Sequence, residues 1–74
     1  MNKPAEEQWE MIYRSTLLYR VEMLKDLLEN EEITAVIVNK KDSSYLAFGD
    51  IELHVQRTDV LNAAIIVNRF LADE

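Results

Sequence analysis

The stretch I-T-A-V-I-V-N-K-K-D-S-S-Y-L-A-F-G-D-I-E-L-H-V, Ile33 to Val55, decides the fold of this chain. Its opening segment, Ile33 to Asn39, is rich in β-branched side chains, which suit a pleated surface better than a helix. Its nearly continuous apolar character predicts a strand buried on one face and partly covered on the other. The closing segment, Ile51 to Val55, alternates: Ile51, Leu53 and Val55 point inward, Glu52 and His54 outward. Gly49 and Asp50 form a turn signal just before it. Two such runs are expected to pair as an antiparallel hairpin carrying a long loop.

Working outward from the hairpin, the upstream segment Thr16 to Asn30 has helical spacing. Leu17, Val21, Leu24 and Leu28 form one stripe, widened by Leu27, and Arg20, Glu22, Lys25, Asp26 and Glu29 fill the wet side. Ser15 or Thr16 is the expected N-cap, and Asn30 the expected left-handed residue at the C-terminal end. Before it, Trp9 to Ser15 alternates as a strand, with Trp9, Met11 and Tyr13 on one face and Glu10, Ile12 and Arg14 on the other. Met1 to Gln8, with Pro4 among charged neighbours, reads as a flexible leader. Downstream, Thr58 or Asp59 caps a second helix from Val60 to about Ala72. Its stripe is Val60, Ala63, Ala64, Val67, Phe70 and Leu71, and Ile65 and Ile66 add surplus apolar surface.

The order is β-α-β-β-α, an α+β sandwich of the ferredoxin-like kind without its last strand. One domain, 9–74, is expected, with a three-stranded sheet and two helices on one face. The first and third strands are expected to be adjacent and parallel, with the second outside. The first strand would then lack an edge partner. Val21, Leu24, Leu28, Ile37, Leu53, Val55, Ala64 and Val67 are the expected core.

Composition narrows the function. The chain has 74 residues and no cysteine, so stability must come from packing or self-association, not disulfides or thiolate metal sites. A net charge of −6, from 14 acidic and 8 basic residues, argues against nucleic acid and anionic lipid as partners. The polar N-terminus lacks a signal peptide's apolar core, and the longest apolar run, Ala63 to Val67, is too short to span a bilayer. A cytoplasmic location is therefore expected.

These residues together resemble a known family. The pattern is a W-x-x-x-Y-x-S strand, a V-E-x-L-K-x-L-L-E helix, I-x-A-V-I-V-N-K-K-D-S-S-Y, a G-x-I-E-L-x-V strand and a short second helix. It resembles the small bacterial domains named putative prokaryotic signal-transducing protein, a family of unknown function. The resemblance runs from Trp9 to Leu71, and Asn39 to Tyr45 is its most specific part. It implies a ferredoxin-like fold similar to the PII-type signalling proteins. There, the loop between the second and third strands is the interaction element, and Asn39 to Gly49 occupies that place. The chain departs from the pattern at Glu32, where many members have glycine. With one glycine in the chain, no phosphate-binding loop is formed, so a PII-like effector site is not carried over.

Within that loop, Lys40, Lys41, Ser43, Ser44 and Tyr45 are the candidate partner- or ligand-binding residues. Two ammonium groups and two hydroxyls can satisfy a phosphate or carboxylate. Against this, Asp42 and Ser43 also suit an ordinary solvated turn. Tyr45, Leu46 and Phe48 either fold back on the sheet or meet a partner. His54 with Glu52 is too few ligands for zinc. Glu29, Glu31 and Glu32 read as a solvated cluster, and no serine has a histidine base in a motif. No catalytic residue, metal or cofactor is therefore expected. The chain reads as a non-catalytic interaction or regulatory domain that meets a protein partner through the loop. The alternative is a small-ligand sensor that binds an anionic metabolite as an oligomer. Self-association is a further expectation.

Overall fold

The computed structural model describes residues 8–40 and 50–73. Along the chain run β1 (Trp9–Ser15), α1 (Leu18–Asn30), β2 (Ala35–Asn39), β3 (Ile51–Gln56), a short 3-10 segment (Arg57–Asp59) and α2 (Val60–Ala72). This is the expected β-α-β-β-α order and the ferredoxin-like α+β fold. The sheet order is β1-β3-β2, and β3 runs antiparallel to both neighbours. The first and third strands are thus adjacent, as expected, but antiparallel rather than parallel. The reason is the split crossover. The helical connection returns β2 in the direction of β1, and the hairpin then folds β3 backward into the gap between them.

The alternation of β3 holds throughout. Ile51, Leu53 and Val55 are buried, and Glu52 and His54 lie on the opposite face. On β2, Ala35 and Ile37 stand opposite Val55 and Leu53, so they share the inner face. β1 breaks its own alternation. Its register shifts between Met11 and Tyr13, leaving Ile12 as the extra residue of a bulge. Met11 stands opposite His54 on the outer face, but Tyr13 stands opposite Leu53 on the inner one. The expectation that Trp9, Met11 and Tyr13 share a face is corrected accordingly. Both Ile12 and Tyr13 pack against the core.

The core joins Val21, Leu24 and Leu28 of α1, Ile33, the inner sheet residues, and Ala63 and Val67 of α2. Of the expected core, Ile37 is half-buried against this cluster and Ala64 is exposed. α2 is apolar nearly all round, so spacing alone could not choose its inner face. The actual row is Val60, Ala63, Val67 and Phe70 with Ile66, which turns Ala64 and Leu71 outward. Leu17 is also exposed, because it precedes the helix in extended backbone and has no helical phase. Leu27 faces outward too.

The α2 N-cap falls on Asp59, one of the two expected residues, but both ends of α1 differ from expectation. Leu17 occupies the N-cap of α1 and Asp59 that of α2, each without a side-chain cap bond. Ser15 is held in β1 opposite Ile51, and its hydroxyl accepts the Leu17 N–H at 3.0 Å, just ahead of the helix. At the other end of α1 the left-handed residue is Glu32, with φ 66°, and not Asn30. The Ile33 N–H donates to Leu28 O at 3.0 Å, and the Glu32 N–H to Glu29 O at 2.9 Å. These bonds make a Schellman motif with Leu28 and Ile33 as its apolar contact. Glu32 is thus the residue in the conformation that glycine adopts most easily, at the position where the family resemblance expects glycine.

Candidate functional site

The hairpin is closed at its base. Asn39 pairs with Ile51, and the Lys40 N–H donates to Asp50 O at 3.0 Å. The Asp50 carboxylate also meets the Arg14 guanidinium at 3.5 Å, which ties the hairpin base to β1. Of the candidate residues, Lys40 is exposed at this base. Lys41, Ser43, Ser44 and Tyr45 lie outside the described residues, as do Leu46 and Phe48.

Beside the hairpin, the outer face of β3 carries a polar pair between apolar neighbours. His54 Nε2 donates to Glu52 Oε1 at 2.9 Å, and both side chains are largely covered. Met11 and Val36 stand on either side of His54, and Arg14 and Val38 on either side of Glu52. The hydrogen bond from His54 is the main cause that holds the Glu52 carboxyl below the usual carboxylate range, against an opposing effect of burial. Lys40 and Arg14 add positive charge in the same direction. Among the described residues no three His, Asp or Glu side chains come together as a metal site. Glu29, Glu31 and Glu32 are all exposed, and Glu29 meets Lys25 at 3.1 Å.

A second cluster lies where β1, α1 and α2 meet, and sequence reading did not find it. Arg20 Nε donates to the Tyr13 hydroxyl at 3.1 Å, and its guanidinium lies 5.2 Å from the centre of the Phe70 ring. Tyr13 and Phe70 contact each other edge to face at 5.8 Å. The bond to Tyr13 raises the Arg20 guanidinium further above its already high range. Helical spacing places Arg20 on the wet side of α1, but it is half-buried as the link between three elements. Next to it, Tyr19, Arg20, Met23, Asp26, Leu27, Phe70 and Asp73 line a groove of about 490 Å³ between the helices. The available signal was a second apolar row, Tyr19, Met23 and Leu27, at successive helical turns beside the core stripe.

A family profile described as putative prokaryotic signal transducing protein matches residues 9–70. The chain belongs to this family. The match covers every strand and both helices up to Phe70, and it includes the hairpin with its loop. The family description points to a signal-transducing role. Comparison with curated proteins and with solved structures gave no match. Among the described residues, no helix is long and apolar enough to cross a membrane.

Proposed function

We propose that this member of the family is a non-catalytic regulatory domain that binds a protein partner through the β2–β3 loop. The observation behind the proposal is the hairpin base. A paired ladder, the Lys40–Asp50 backbone bond and the Arg14–Asp50 ion pair hold both ends of the loop on the sheet. A loop carried on a rigid base presents its side chains with less ordering cost on binding. Lys40 and Lys41 supply charge that steers an acidic partner, and Tyr45 supplies an aromatic anchor. The signal-transducing description of the family fits a domain that works by association.

The test compares the triple variant Lys40→Ala, Lys41→Ala, Tyr45→Ala with the wild type in urea unfolding and in partner capture from the source cell. The expected result is an unchanged fold and lost capture. A folded variant that captures the same protein with unchanged affinity rejects the loop as the site. Thermal shift against nucleotides and phosphorylated metabolites separates this reading from a small-ligand sensor. A ligand at 100 times its dissociation constant stabilises a fold by about 2.7 kcal/mol.

A further inference from the structure

The groove between α1 and α2 shares no residue with the loop, and three observations make it a surface in its own right. First, Tyr19, Met23 and Leu27 form a straight row along α1 and are 61%, 52% and 42% exposed. None belongs to the core cluster. Second, the floor is tied to the rest of the fold. Phe70 is fixed by its edge contact with Tyr13 and by the guanidinium of Arg20, itself held by the Tyr13 hydroxyl. Third, the rim is acidic. Asp26 and Asp73 both line the groove, and Arg20, its one cation, is turned toward Tyr13, Phe70 and Tyr19, so two carboxylates face one guanidinium.

We infer that this groove receives an amphipathic helical segment of a partner protein whose apolar stripe is flanked by Lys or Arg. The apolar row matches the spacing by which a docked helix presents its own anchors, one turn apart. The acidic rim selects the charge of the flanks. The same charge disfavours a second copy of this chain. Two such grooves facing each other would bring the Asp26 and Asp73 carboxylates of both copies into one seam, in a chain whose net charge is −6. Nucleic acid and anionic lipid are disfavoured for the same reason.

The experiment titrates the isotope-labelled full chain with an amphipathic helical peptide of leucine and lysine, and with its leucine–glutamate counterpart. The expected result is binding of the lysine peptide alone, with amide shifts at Tyr19, Met23, Leu27 and Phe70. Met23→Ser with Leu27→Ser is expected to abolish it. Both residues are exposed, so the fold is expected to survive, and the dispersed spectrum reports whether it does. Asp26→Lys with Asp73→Lys is expected to weaken the lysine peptide by about tenfold at low salt and to admit the glutamate peptide. Equal binding of both peptides by the wild type, no binding of either, or shifts confined to the outer sheet face overturns the inference. So does self-association that is lost in the Met23→Ser, Leu27→Ser variant, which would make a second copy the occupant. Because the loop residues are untouched, loss of peptide binding with retained partner capture separates this surface from the loop.

Discussion

At the scale of single residues, Glu32 and Glu52 carry the clearest consequences. Glu32 holds a left-handed conformation that costs a residue with a Cβ roughly 1–2 kcal/mol. Glycine removes that cost but adds freedom to the unfolded chain, worth about 0.4–1 kcal/mol in the other direction. Glu32→Gly is therefore expected to raise stability by up to about 1.6 kcal/mol in urea unfolding, and Glu32→Val to lower it by about 1 kcal/mol. A clear loss on Glu32→Gly would mean that the Glu32 side chain itself makes a stabilising contact. Glu52 is held below its ordinary range chiefly by His54. A carboxyl depressed in the folded state stabilises above its unfolded value, about 4.3, and that stability drains away as pH falls through the lower folded value. Unfolding midpoints at about pH 7 and about pH 3 should therefore differ less in Glu52→Gln and in His54→Ala than in the wild type. An identical acid response in all three proteins would remove the pair from the acid sensitivity.

At the scale of elements, α1 is held by what it buries and not by how it is capped. Val21, Leu24 and Leu28 are fully buried, while Leu17 at the N-cap makes no side-chain cap bond. Leu24→Ala is expected to cost about 2–5 kcal/mol, a large share of what a domain this small possesses. A loss below about 1 kcal/mol in urea would place Leu24 outside the core. The seam between the helices depends on the contacts among Tyr13, Arg20 and Phe70. Phe70→Leu keeps most of the apolar volume and loses the ring contacts, so a cost of about 1 kcal/mol is expected. In a double-mutant cycle, Arg20→Met should cost less in the Phe70→Leu background than in the wild type; strict additivity would show that the ring and the guanidinium do not interact.

At the scale of the whole molecule, β1 ends the sheet on one side, and among the described residues no strand covers its outer edge. Open edges invite pairing, and the bulge at Ile12 confines an added strand to one side of it. Sedimentation equilibrium at high concentration is expected to give a mass above the 8.7 kDa of one chain. A clean 8.7 kDa species would end the case for self-association.

Sequence alone determined the element order, the strand alternation of Ile51 to Val55 and the stripe Val21, Leu24 and Leu28, because these are local periodicities with one reading. It also placed His54 and Glu52 together on the outer face, since a strand repeats every second residue. It leads to the expectation of a loop at Asn39 to Gly49, of which Asn39 ends β2 opposite Ile51 and 41–49 lie outside the described residues. Only the tertiary structure decided which face of α2 turns inward, because that helix is apolar nearly all round. It alone showed that β3 runs antiparallel to β1, because strand direction follows from the path of the connections. The bulge at Ile12 and the meeting of Tyr13, Arg20 and Phe70 have the same origin. Each depends on residues far apart in the chain or on how an element docks, and packing, not local preference, settles such choices.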